Sequence, residues 1–242
     1  QLSNPQLSGH GAGVFSDTML DGELNFAMPD LAVLGQGLSG ALTAQAVAKQ
    51  EGTVRRIEVT GRGTDLRLGQ QDVGNALPGA TDLRLSAQED RGEITIQTFD
   101  LSNAQMLATA QGKLGKSGTD LSGRVDVKSL ASFGRGWQGA LQAQGSFKDD
   151  GSGARRLAVT GTAQDLSFGQ SQVDGALAGE TQLALQGTER GGVFSIETAT
   201  VANPRLNLDA TGKVGTGATD VTATLKAADL RFLGRGFRGA VD

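Results

Sequence analysis

Set against itself at an offset of 100, this chain of 242 residues meets its own sequence again. Arg55-Arg56 falls on Arg155-Arg156, Val59-Thr60-Gly61 on Val159-Thr160-Gly161, and Asp65-Leu66 on Asp165-Leu166. Gly69-Gln70 meets Gly169-Gln170, Ala76-Leu77 meets Ala176-Leu177, and Gly134-Arg135-Gly136 meets Gly234-Arg235-Gly236. Residues 54–142 and 154–242 are identical at 33 of 89 positions without a gap. The N-terminal part joins the series one residue out of phase: Leu34 to Leu42 matches Phe133 to Leu141, and Asn4, Asn103 and Asn203 correspond. A repeat at this scale sets the architecture before any local reading does. It divides the chain into a partial first copy (1–53), a complete copy (54–153) and a truncated third (154–242), together one continuous β-tube fragment. Both ends fall inside a copy, Asp242 corresponding to Gln142 within a strand pattern, so the array is expected to continue in both directions.

Within each copy the period is two. Trp137, Gly139, Leu141, Ala143, Gly145 and Phe147 alternate with Gln138, Ala140, Gln142, Gln144, Ser146 and Lys148. Ile94 and Ile96 alternate with Glu93, Thr95 and Gln97, and Leu206, Leu208, Ala210, Gly212 and Val214 stand at alternate positions later. Such alternation makes strands with one apolar and one polar face. Breaks rich in Gly, Asp, Asn and Ser, such as Glu89 to Gly92 and Lys148 to Gly153, predict strands of 6–11 residues in an antiparallel meander. No amphipathic helix is evident, and Leu130 to Gly134 reads as either a helical turn or a bend.

Every apolar strand face must be covered. Here helices to cover it are missing, and a sandwich would need bulky side chains. Only 38% of residues are hydrophobic, 37 are Gly, and Ala and Gly often stand where a sandwich core has Ile, Leu or Phe. The expected fold is therefore all-β: an elongated antiparallel sheet curled into an open taco-like groove or tube, built from repeats of about 100 residues. Gly on the inner face would admit an apolar, elongated guest.

The remaining composition narrows the function. Net charge is −4 with Lys and Arg scattered among acids, and Trp137 is the only Trp in a chain without Tyr, so a nucleic-acid footprint is absent. Without Cys, neither disulfides nor thiolate metal sites can form, which fits an oxidising compartment. No stretch approaches the roughly 18 apolar residues of a membrane helix, and no signal peptide stands at Gln1.

Each copy carries a Leu-x-x-Φ-Gly-x-Gly-x-x-Gly-Ala-Φ segment, Φ being apolar, followed by long Gly-rich alternating strands with Asn or Asp turns. Together these resemble the repeated β-region of the TamB and AsmA-like family of bridge proteins, across essentially the whole chain. The resemblance implies a parent chain anchored in the inner membrane of a Gram-negative bacterium and spanning the periplasm. It implies a curled sheet with a hydrophobic lining, movement of phospholipid toward the outer membrane, and a role in outer-membrane protein assembly. It also implies an outer-membrane partner of the BamA superfamily, met through a C-terminal part of the parent outside this chain.

Other candidate motifs have plainer explanations. Gly134-x-Gly136-x-x-Gly139, with its counterparts at Gly35 and Gly234, fits the dinucleotide fingerprint, but a strand follows where a helix is required. A bend between strands is the expectation. The recurrent Asp65/Asp165 and Asp21/Asp120/Asp220 lack the spacing of calcium-binding rolls and read as turn residues. His10 is the single histidine and cannot build a histidine metal cage, and Arg55-Arg56 and Arg155-Arg156 read as charged strand starts that resist edge pairing. The chain is thus expected to be non-enzymatic, with no cofactor, no catalytic residue and no metal site.

The functional expectation rests on the inward apolar set. In the first full copy it comprises Ile57, Val59, Leu66, Leu68, Leu83, Leu85, Ile94, Ile96, Val125, Val127, Trp137, Leu141 and Phe147. In the next it comprises Leu157, Val159, Leu166, Phe168, Leu183, Leu185, Phe194, Ile196, Leu206, Leu208, Leu225 and Phe237. These would line a lipid groove that holds or conducts phospholipid acyl chains between the two membranes. The alternative is a dry structural β-solenoid or adhesin stalk at the cell surface, for which a rung period near 20–30 residues would be expected.

Overall fold

The computed structural model describes residues 2–4, 7–16, 19–35, 37–68, 77–134, 136–217, 219–233 and 236–241. Two compact units divide the chain, residues 1–116 with 132–134 and residues 117–131 with 135–242. That division falls inside the second sequence copy and not at its borders. Strands make up the first unit: β1 (Leu2–Asn4), β2 (Leu7–Phe15), β3 (Leu20–Met28), β4 (Leu38–Glu51), β5 (Val54–Leu68), β6 (Leu77–Asp90), β7 (Glu93–Asn103) and β8 (Met106–Gly115). The second has β9 (Gly118–Val127), β10 (Trp137–Asp149), β11 (Ala154–Phe168), β12 (Glu180–Arg190), β13 (Val193–Ala202), β14 (Leu206–Gly215) and β15 (Thr219–Ala227). In each unit every strand pairs antiparallel with its neighbours in sequence. The fold is therefore all-β and meandering, without the parallel rung-on-rung stacking of a solenoid.

Strand lengths exceed the sequence expectation. β5 and β11 each run 15 residues, from Val54 and Ala154, exactly one offset apart in sequence. The expected breaks at Glu89 to Gly92 and Lys148 to Gly153 are turns between strands, whereas Asp65 and Asp165, expected in turns, and the third glycine of the motif, expected at a bend, sit in bulges within long strands. At Gly40 and Gly139 the register slips against β5 and β11, and Asp65 and Asp165 sit at φ 51°. Each Asp supports its own bulge: Oδ1 of Asp65 accepts from the Gly79 amide at 2.8 Å, and Oδ1 of Asp165 from the Gly179 amide at 2.8 Å. Asp and Asn tolerate left-handed φ because the short side chain bonds nearby backbone. Across that bulge the third glycine of the repeated motif has to be Gly. A Cβ on Gly139, at φ 99°, would stand 2.5 Å from the Gln164 carbonyl oxygen, and one on Gly40 2.5 Å from that of Asp65. The fingerprint-like motif is thus a strand crossing.

Within each unit the two ends of the strands differ. At one end the strands join by tight hairpins. Arg91-Gly92 and Gly191-Gly192 have positive φ at both central residues, the geometry that matches strand twist. At the opposite end the connections are longer. The motif Leu-x-x-Φ forms 3-10 turns at Leu31–Leu34, Leu130–Ser132 and Leu230–Leu233, and a six-residue helix, α1 (Ser171–Ala176), precedes β12. Asp30, Ser129 and Asp229 accept from the amides of Ala32, Ala131 and Arg231 and so begin each turn. The helix α1 was not legible in the sequence, which lacks an apolar period there. It is held instead by Asp174, whose Oδ1 accepts from the Phe168 amide at 2.7 Å, and by Asn203, which donates to the Ala176 carbonyl at 2.8 Å.

Candidate functional site: an unsealed apolar face

Register settles which side chains share a face, because directly paired residues point the same way. In the second unit the rows Val125/Ala143/Gly161/Leu183/Val201/Leu208/Leu225 and Leu121/Phe147/Leu157/Gly187/Ile196/Gly212/Val221 run unbroken from β9 to β15. In the first, Leu24/Ala46/Val59/Leu85/Phe99/Ala110 and Phe26/Ala44/Gly61/Leu83/Leu101/Ala108 do so from β3 to β8. The opposite face carries Gln, Thr, Arg, Asp and Lys. Two open hollows lie over it, of about 590 and about 430 Å³. Their polar walls are Ser8, His10, Asn25, Thr43, Gln45, Thr60 and Arg62 in one unit, and Arg124, Gln142, Gln144, Thr160, Thr162, Gln182 and Thr200 in the other. Neither of these hollows lies over the apolar rows.

Most predicted groove residues fall on the apolar face: Ile57, Val59, Leu83, Leu85, Ile94 and Ile96 in the first unit. In the second are Val125, Leu141, Phe147, Leu157, Val159, Leu183, Leu185, Phe194, Ile196, Leu206, Leu208 and Leu225. The same alternation also identifies Leu24, Phe26, Phe99, Leu101, Leu121 and Val201, which the sequence reading passed over although β3 and β7 show the same period.

Burial is concentrated at the loop end; among the described residues Ala44 and Ala154 are the buried hydrophobic ones outside it. Leu31, Leu77, Val127, Leu130, Leu166, Ala176 and Ala227 are buried at the loop end, and Thr181 is wholly enclosed. Asn203 ties this end together, donating to Ala176 and to Thr181 Oγ1 and accepting from the amides of Arg205 and Leu206. Val127 and Leu166 therefore belong to a closed lip. Trp137 and Phe168 lie beyond the bulge at the same end, packed edge to face at 5.4 Å and each well over a third exposed. Phe237 is exposed at the start of the segment whose Val241 bridges to Ala227. The side chain of Leu68 lies outside the described residues.

Away from that lip the face stays open. Only ten hydrophobic residues are buried among those described, five of them Ala, and the largest fully enclosed side chains are Thr81 and Thr181. Leu24 is 47% exposed, Ile94 43% and Leu225 42%. Among the described residues neither unit holds a second sheet or helical layer against these rows. One expectation needs correcting, however. Glycines on this face do not all leave room for a guest. The Leu66 side chain lies over Gly63, where a Cβ would meet it at 2.4 Å, and the Phe194 ring covers Gly187. Cross-strand neighbours have filled those notches, as aromatic side chains do over sheet glycines.

Among the described residues no cluster of three or more His, Asp or Glu could hold a metal ion, and no helix is long and apolar enough to cross a membrane. Asp165 is held below the ordinary aspartate range by the Gln164 side-chain amide and then by the Gly179 amide, which is bulge architecture and not a ligand set. Fold and site together define a class: an antiparallel β-meander protein with one polar face and one apolar face left uncovered. No protein-family model, curated protein or solved structure matches the chain.

Proposed function

We propose that this chain is a lipid-holding segment of a periplasm-spanning bridge of the TamB and AsmA-like kind. In this reading the sheet curls into an open groove, and phospholipid acyl chains lie against its apolar face on their way between the inner and outer membranes. The parent chain would be anchored in the inner membrane and would meet a BamA-superfamily protein at the outer one, with a part in outer-membrane protein assembly. No step of chemistry and no cofactor is required.

One observation supports the reading: apolar rows run unbroken across each unit, yet few of their large side chains are buried, and Leu24, Ile94 and Leu225 are more than 40% exposed. Each CH₂ removed from water contributes about 0.8 kcal/mol, so an acyl chain on such a face gains several kcal/mol without any decisive polar contact. Exposed apolar surface of this extent in a soluble setting marks a binding face. The resemblance in the repeated Leu-x-x-Φ-Gly-x-Gly segment supports the same reading. The dry-stalk alternative needs an interior closed by its own side chains, and the exposure of Leu24, Ile94 and Leu225 counts against it.

The test is mass spectrometry of the chain expressed with export to the periplasm and purified from membrane extracts. Phospholipid should accompany it at stoichiometric or higher amounts, and a hydrophobic dye should bind once the lipid is stripped. Protein free of lipid that also refuses the dye would defeat the proposal.

A further inference from the structure

Within each unit the two edges formed by the strand ends are chemically unlike. The loop edge is the closed lip described above. The hairpin edge is charged and nearly balanced in sign. Among the described residues, the ion pairs Arg55–Glu89, Arg56–Glu51, Arg91–Asp90, Lys113–Glu93, Lys148–Asp120, Arg155–Asp149 and Arg155–Glu189 stand there. Arg62–Asp82 lies in mid-strand and Arg231–Asp229 at the loop end.

Two of these pairs stand on the apolar face itself. Arg55 pairs in register with Glu89 two positions beyond Ile57 and Ala87, and Arg155 with Glu189 two beyond Leu157 and Gly187. Their geometry repeats: guanidinium to carboxylate is 3.6 Å in both units, and Oε1 of each Glu accepts from the second hairpin glycine, Gly92 or Gly192, at 2.7 Å. The hairpin amide therefore anchors the acid, whose side chain is 27% or 29% exposed. The Arg leans outward, 51% or 59% exposed; besides the Glu, Arg55 donates through Nε to Gln50 Oε1 at 3.3 Å and Arg155 stands 3.5 Å from Asp149, contacts that leave part of each five-donor guanidinium uncommitted.

From this asymmetry we infer that the hairpin edge is the head-group side of the apolar face, and that its occupant is a phospholipid whose head carries both a phosphate and an ammonium. The inference rests on the proposed acyl-chain groove and adds its polarity and its lipid class. The Arg fork suits a phosphate, which accepts two parallel N–H bonds. The Glu carboxylate beside it suits the ammonium. Acyl chains then run from that edge across Ile57 and Val59, or Leu157 and Val159, toward the lip, which the protein has already filled. A head group at the lip would have to displace buried Leu130 or Leu166.

The chain lacks Cys, so a single one can be introduced cleanly. Ser152→Cys at the hairpin edge and Ser171→Cys at the loop edge, both exposed and both in the second unit, would each carry a fluorophore. Phosphatidylcholine bearing a nitroxide on its head group is then added in vesicles, alongside phosphatidylcholine bearing it at the acyl end. The head-group quencher should act several-fold more strongly at position 152 than at 171. Equal or reversed quenching overturns the assigned polarity while leaving the groove standing. Absence of quenching by either lipid at either position overturns the groove and this inference together. In a second arm, Arg55→Gln with Arg155→Gln should lower the preference for phosphatidylethanolamine over diacylglycerol about tenfold, the scale of a lost charge-assisted bond, with diacylglycerol uptake retained. A variant that keeps the full preference would refute the Arg role.

Discussion

Leu24→Arg against Leu31→Arg separates an uncovered face from a closed core. Both residues lie in the first unit, Leu24 at 47% exposure between Gly11 and Ala46, Leu31 at 5% in the 3-10 turn that packs on β4. Fully burying a Leu side chain is worth about 1.5–3 kcal/mol, so with nearly half of its surface already in water Leu24 has roughly 1 kcal/mol at stake. Arg at that site can also lay its stem along the sheet and keep its charge solvated. The cost expected for Leu24→Arg is therefore about 1 kcal/mol or less. At position 31 the charge would enter a packed lip without a partner, at a cost on the order of 3–5 kcal/mol. Urea unfolding followed by circular dichroism gives both numbers, and mass spectrometry of the same preparations gives the bound lipid. Leu24→Arg should lose lipid while staying folded. If it destabilises the protein as much as Leu31→Arg does, position 24 faces a sealed interior, and the reasoning from exposure to lipid fails.

Three further outcomes follow from the bulge and the lip. Gly139→Ala should cost about 3 kcal/mol, because the new Cβ meets the Gln164 carbonyl in a conformation L residues avoid, whereas Gly153→Ala, at φ 82° with nothing within 4 Å, should cost about 1 kcal/mol; equal costs in urea would discard the strand-crossing account. Asn203→Ala should destabilise the second unit by about 2 kcal/mol and speed amide exchange at Leu206, since it leaves the Ala176 carbonyl and two amides to find other partners. Asp165 has a lowered folded-state pKa, so the stability it contributes is present above the ordinary aspartate value of about 3.9 and is lost as pH falls through the lower folded value. Asp165→Asn should accordingly flatten the acid limb of a stability–pH curve below about pH 4, and an unchanged limb would count against this linkage.

What the sequence determined by itself is the local grammar. Alternation along Leu141 to Phe147 or Leu206 to Val214 fixes strands and their faces, because side chains of a strand point to opposite sides at every step. Tight Gly-containing hairpins and meandering order follow from the same local geometry, whereas the bulges at Gly40 and Gly139, where a bend between strands was expected, appear only in the register. Whether an apolar face is covered is not local. It depends on which elements reach it across the sheet, and only the tertiary structure showed that Leu130, Leu166 and Ala176 close one edge while Leu24 and Leu225 stay open. The same is true of Gly63 and Gly187, whose empty sites on paper are occupied by Leu66 and Phe194, and of α1, which is held by the bond from the Phe168 amide to its own Asp174 and by Asn203 from beyond β13, and not by an apolar pattern. Covering and tethering are many-residue events set by register, so they appear only once the strands have been laid side by side.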